Sequence, residues 1–275
     1  MSYRSLMVYL DLEHGNEPAL RVVCELADRF KSDVIGVTAG LPAIAIYADA
    51  MTASSVLEVA DQQLNQAMTY CEARFRSALK DSGRSLQWRS AAAYPADFLA
   101  AEARAADLLV VGRSEDYALL GPNQQLAIGD AVMKAGRPVL VVPPRHGGLA
   151  LSRLLVAWKD TAEARRAVLA ALPLLRKAEE LTIIEIVPDA SERDAAAARV
   201  ADVVHWLQRH NVQASARVEL SAGDAGSQLD AIASEARIDI IVAGAYGHAR
   251  LSEWIFGGVT RHLLQQSSAC VLLAH

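Results

Sequence analysis

Gly244, Gly247, Gly257 and Gly258 stand where a backbone makes room for an anion. Gly244-Ala245-Tyr246-Gly247 follows the apolar run Ile238-Asp239-Ile240-Ile241-Val242-Ala243, which has the pattern of a buried strand, so the first two glycines fall where that strand must turn. After a nine-residue gap, Gly257-Gly258-Val259-Thr260 opens a segment, Thr260 to Gln265, with helical character. Glycine ahead of a helix lets a ligand approach the free N–H groups of its first turn, and the ligand such a turn suits is anionic, most simply a phosphate chain. The alternative is a tight loop whose glycines serve only the backbone.

Strands and helices alternate along the whole chain. The first half predicts strands at 5–12, 33–39, 86–93, 107–112 and 138–142, with helices at about 17–31, 52–81, 96–105 and 124–135. The second half repeats that order, with strands at 153–158, 181–187, 215–220, 238–243 and 270–274 and helices at 161–177, 192–209, 227–236 and 259–266. Asp107-Leu108-Leu109-Val110-Val111-Gly112 aligns with Asp239-Ile240-Ile241-Val242-Ala243-Gly244, and Pro138 to Val142 with Cys270 to Ala274, at one constant offset. Pro143-Pro144-Arg145-His146-Gly147-Gly148 is rich in chain breakers and predicts a linker, giving domains at 1–145 and 150–275. Continuous Val/Ile/Leu strands indicate parallel sheets covered by helices on both faces, so each half is expected to be a doubly wound α/β domain of five strands. Pairing strand 138–142 with strand 270–274 would cap two exposed sheet edges.

The spacing Gly-x2-Gly-x9-Gly, after a strand and before a helix, resembles the nucleotide-binding members of the universal stress protein family, and the resemblance to tandem members spans essentially the whole chain. It implies strand order 3-2-1-4-5 in each half and joining of the halves through their last strands. It also implies an adenine nucleotide, ATP, ADP or AMP, as ligand. Ala157 and Ile186 would wall the adenine, and Gly244, Gly247, Gly257, Gly258, Val259 and Thr260 would surround ribose and phosphates. His248, Arg250 and Arg261 are candidates for extra phosphate charge, with a solvated surface role as the alternative.

Two departures from the family pattern matter. Gly258 stands where Ser or Thr usually follows the last glycine, so the first hydroxyl is displaced to Thr260. The acidic residue expected at the end of the first strand is present as Asp11 in the first half, but in the second half Lys159 takes its place and Asp160 comes one residue late. Lys159 could meet a phosphate as a point charge. Asp160 or Thr161 could simply cap the following helix. The halves also differ: Glu115 and Gln125 occupy the first-half positions of Gly247 and Gly257, so the first half is expected to lack a triphosphate site.

Composition narrows the function classes. A net charge of -5 without basic runs argues against nucleic acid, and no apolar stretch has the roughly 20 residues of a membrane span. With no secretory pattern behind Met1, a cytoplasmic location is expected. Three cysteines and seven histidines show neither disulfide nor metal-ligand spacing. The apolar segment around 39–51 has no second-half counterpart and could be a lid, a partner surface or simple packing. No phosphoryl-transfer or hydrolase signature is present.

The expected function is therefore a nucleotide-binding regulatory module with at most slow ATP hydrolysis. An interaction protein with a purely structural glycine loop is the alternative, a hydrolase or transferase on the same fold ranks last, and a homodimer stays open.

Overall fold

A computed structural model describes residues 2–12, 15–42, 53–114, 125–245 and 258–275. The chain divides into two compact units, Tyr3–Ala135 with Pro144–Gly148, and Gly136–Pro143 with Leu149–His275.

In the first unit the chain runs β1 (Ser5–Tyr9), α1 (Glu17–Phe30), β2 (Asp33–Gly40), α2 (Ala53–Leu79), β3 (Leu86–Ala92), α3 (Pro95–Glu102), β4 (Leu108–Gly112) and α4 (Ile128–Lys134). Its strands pair in parallel in the order β3-β2-β1-β4. Helix α1 starts where Pro18 presets a helical φ and buries Leu20, Val22, Val23, Leu26 and Phe30. Gly36 on β2 is demanded by packing. A Cβ there would lie 2.6 Å from Trp88 and 2.9 Å from Phe75, whose rings stack against each other at 5.6 Å.

The second unit holds β5 (Val139–Val142), β6 (Arg153–Ala157), α5 (Ala162–Leu175), β7 (Glu180–Val187), α6 (Arg193–Arg209), β8 (Ser215–Leu220), α7 (Ala225–Glu235), β9 (Ile240–Gly244), α8 (Gly258–Gln266) and β10 (Cys270–Ala274). Strands β8-β7-β6-β9-β10 are parallel, which is the expected order 3-2-1-4-5. Strand β5 then pairs antiparallel on the outer side of β10, with Leu140 opposite Leu272. The last strands of the two halves are thus joined, and the apolar edge of β10, buried along its whole length, is covered.

The repeat extends to side-chain hydrogen bonds. Asp107 accepts from the main-chain N–H of Arg4 at 2.7 Å and Ser5 at 3.1 Å, and Asp239 accepts from Ser152 at 2.7 Å and Arg153 at 3.0 Å. Each carboxylate, at the start of a fourth strand, fixes the register of the first strand beside it. The expected helix at 124–135 is shorter than its apolar pattern, because α4 begins only at Ile128, after an extended Ala127. The expected 39–51 segment lies outside the described residues from 43 to 51.

Candidate functional site

Ligands of open α/β sheets bind beyond the carboxyl ends of the strands. In the second unit that end carries Ala157, Lys159, Ile186 and Gly244. Register decides which of them face one another. Ala157 is aligned with Ala243 on β9 and with Ile184 on β7, so Ala157, Ala243, Ile184 and Ile186 share one face of the sheet. Both expected adenine walls, Ala157 and Ile186, are half-buried on that face.

The neighbouring positions Trp158, Gly244 and Glu185 share the opposite face. It is covered by α5 and α6: a Cβ on Gly244 would lie 2.4 Å from the main-chain nitrogen of Ala164 at the start of α5, and Glu185 pairs with Arg199 of α6 at 2.6 Å. Gly244 is therefore explained by the close approach of α5 to β9. Trp158 is buried beside it, and its indole N–H has no hydrogen-bond partner among the described residues.

The turn after β6 sorts three candidate residues. Thr161 is the cap of α5, its hydroxyl accepting from the N–H of Ala164 at 3.3 Å. Asp160 is spent on Arg165 at 2.6 Å. Lys159 is exposed and forms no ion pair among the described residues, so its charge is available to a ligand. Burial disfavours the charge on Glu163, but hydrogen bonds from its own N–H and from Thr161, with Arg166 nearby, hold its carboxyl below the usual range.

Helix α8 begins at Gly258, which is exposed, while Val259 is half-buried and Thr260 buried. Among the described residues, a Cβ on Gly258 would meet only the Asp224 carboxylate, at 3.9 Å, so none of them requires glycine there by packing. Asp224 is the cap of α7. Hydrogen bonds from the N–H and hydroxyl of Ser227, both 2.7 Å, lower its pKa. Arg261 is exposed and bonded to Gln265 at 3.3 Å. Gly247, His248, Arg250 and Gly257 lie outside the described residues. No group of three or more metal-ligating side chains occurs among the described residues, and no described helix is long and apolar enough to cross a membrane.

The first unit has a cleft of about 470 Å3 at the carboxyl ends of β1 and β4. Asp11, Gly112 and Gln125 line it, as their positions in the repeat require, while Glu115 lies outside the described residues. Three arginines that sequence reasoning missed, Arg21, Arg113 and Arg145, line it too. Arg113 directly follows Gly112 and was the one readable signal. The others come from a helix and from the segment after β5.

The alternating order and the joined last strands define a tandem, doubly wound α/β protein. Residues 151–275 match the sequence model of the universal stress protein family. The whole chain is similar in fold to a universal stress protein from Archaeoglobus fulgidus DSM 4304, with 14% identity, a TM-score of 0.70, and coverage of 98% of this chain and 95% of that one. A functionally unknown protein, PA1789 from Pseudomonas aeruginosa PAO1, is similar at 16% identity and TM-score 0.62, over 99% of this chain and 92% of that one. Comparison with curated proteins finds no match.

Proposed function

We propose that this protein is a cytoplasmic nucleotide-binding regulatory module whose second half holds one adenine nucleotide. The base lies against Ala157 and Ile186, and Gly247, His248 and Gly257 together with the start of α8 hold the phosphates. The observation that carries the reading is the opening of α8. Gly258 is exposed at the start of α8 and is not demanded by packing against any described residue. The first-turn N–H groups and the ammonium of Lys159, which forms no ion pair among the described residues, offer an anion complementary charge. With no base or metal site assigned, turnover is slow beside the roughly 10 per second of a median enzyme.

Native mass spectrometry of freshly purified protein, followed by calorimetric titration with ATP, ADP and AMP, tests this. One nucleotide per chain, abolished by Gly247→Glu, is the expected result; two equivalent sites or no binding overturns it.

A specific observation favours the interaction-protein reading: Gly244, the first glycine of the motif, is required by the contact with Ala164 whether or not a ligand is present. A chain that binds no nucleotide and keeps its melting temperature in their presence would support it.

A further inference from the structure

We infer that His262 makes the start of α8 a proton-sensitive anion site, which holds phosphates more tightly when the imidazole is charged; this rests on the nucleotide reading of the second half and names how that site is regulated.

His262 lies one turn into α8 and is pressed onto α7. A Cβ on Gly226, in the first turn of α7, would lie 2.6 Å from the His262 Cβ and 2.9 Å from its Cγ, so the histidine demands glycine there. The His262 side chain is only 13% exposed. Each ring nitrogen faces one carboxylate: Nδ1 lies 3.9 Å from Asp224, the cap of α7, and Nε2 lies 4.0 Å from Asp230, further along α7. Both separations exceed a hydrogen bond, and the buried Nε2 has no hydrogen-bond partner among the described residues.

A neutral imidazole has one N–H to offer and a charged one has two, so only the charged ring can serve both carboxylates. Imidazoles change charge between about pH 5 and 8. Asp224, its pKa lowered first by the Ser227 N–H and then by the Ser227 hydroxyl, stays ionised through that range. Among the described residues, Asp224 and Asp230 are the charged groups that face the ring from α7. On α8 itself Arg261 is exposed and bonded to Gln265 at 3.3 Å, and ahead of β10 the Ser268 N–H donates to Asp230 at 3.3 Å.

Asp224 connects the ring to the anion site. Its Oδ2 accepts from the N–H and hydroxyl of Ser227, both at 2.7 Å, while its Oδ1 lies 3.9 Å from where a Cβ on Gly258 would stand. A carboxylate therefore sits beside the exposed first residue of α8, where it repels an anion. The charged ring of His262 offsets that repulsion and the neutral ring does not. By reciprocity, an anion that prefers the charged form raises the proton affinity of the ring, so binding takes up a proton.

Two measurements on the full chain test this. Without ligand, nuclear magnetic resonance between pH 5 and 8 should show the Val259 amide following the ring titration of His262 with the same midpoint, a response lost in His262→Gln. With ADP, calorimetry should show affinity falling between pH 6 and pH 8 at least about fivefold more in the parent than in His262→Gln, a comparison that cancels the titration of the ADP phosphates. Asp224→Asn keeps an acceptor for Ser227, and it should tighten ADP binding at pH 8 and flatten the pH dependence. It reads the same coupling if His262→Gln does not fold. A Val259 amide indifferent to His262, or an equal pH dependence of ADP binding in parent and His262→Gln, overturns the inference. If ADP binds at neither pH, pyrophosphate replaces it as the probe: a pH dependence lost in His262→Gln then upholds the proton linkage while the nucleotide reading falls, and no binding of pyrophosphate overturns both.

Discussion

Gly244 and the main-chain nitrogen of Ala164 approach so closely that a single added methyl group would lie 2.4 Å from that nitrogen. Backbone cannot swing aside as a side-chain tip can, so Gly244→Ala must push α5 away from β9. We expect a loss of about 1–3 kcal/mol in urea denaturation without any ligand, whereas Gly112→Ala, with 3.6 Å of room, should stay near the parent. Equal stability of the two variants would refute the packing account of Gly244.

The cap of α5 gives a second outcome. Thr161→Ala removes the acceptor of the Ala164 N–H and should cost about 1 kcal/mol, while Thr161→Ser should be close to neutral. Chemical denaturation of the pair distinguishes the lost hydroxyl from lost packing of the methyl group, since only the latter would be shared by both variants.

Glu185 is buried on β7 and satisfied by Arg199. Arg199→Met strands that carboxylate and should destabilise by about 2 kcal/mol, less than a fully buried pair because Arg199 is itself partly exposed. Adding Glu185→Gln removes the orphaned charge, so the double variant should regain much of the loss. A double variant no more stable than Arg199→Met would show that the pair is not the source.

Acid stability follows from Asp224. Its folded pKa is below the ordinary aspartate value, through hydrogen bonds from the N–H and then the hydroxyl of Ser227. Its contribution is therefore present above about pH 4 and lost as the pH falls through the folded pKa. Melting temperatures measured between neutral pH and acid should fall less steeply below pH 4 in Asp224→Asn than in the parent. A parallel decline would remove Asp224 from the account.

Cys71 should be inert. Burial first, and then the charge of Asp11, push its thiol up to about 11, and the thiol donates to the Asp11 carbonyl at 3.3 Å. At pH 8 about one thiol in a thousand would be ionised, so iodoacetamide should label Cys71 only after unfolding. Fast labelling of the folded chain, located by peptide mapping, would contradict this.

Much of the fold was legible because its signals are local. Leu108 to Gly112 and Ile240 to Gly244 are continuous apolar runs with an aspartate ahead of each, and a strand buried on both faces has no other readable form. Thr161 could be suspected as a cap for the same reason: capping involves residues three apart. The start of α4 was less legible, since the apolar pattern extends upstream of Ile128 and only the extended Ala127 ends it.

The sequence by itself determined the repeat, the alternation of strand and helix and the position of the glycine motif, because each depends on periodicity or spacing along the chain. Only the tertiary structure decided what Gly244 and its first-half counterpart Gly112 do. Gly112 and Gly244 are the same letter at the same place in the repeat, yet one opens a cleft and the other admits a helix, since the distance to a packed neighbour is set by elements far away in sequence. The gathering of Arg21, Arg113 and Arg145 around Asp11 has the same origin: charges that act together through space need share no spacing in the chain.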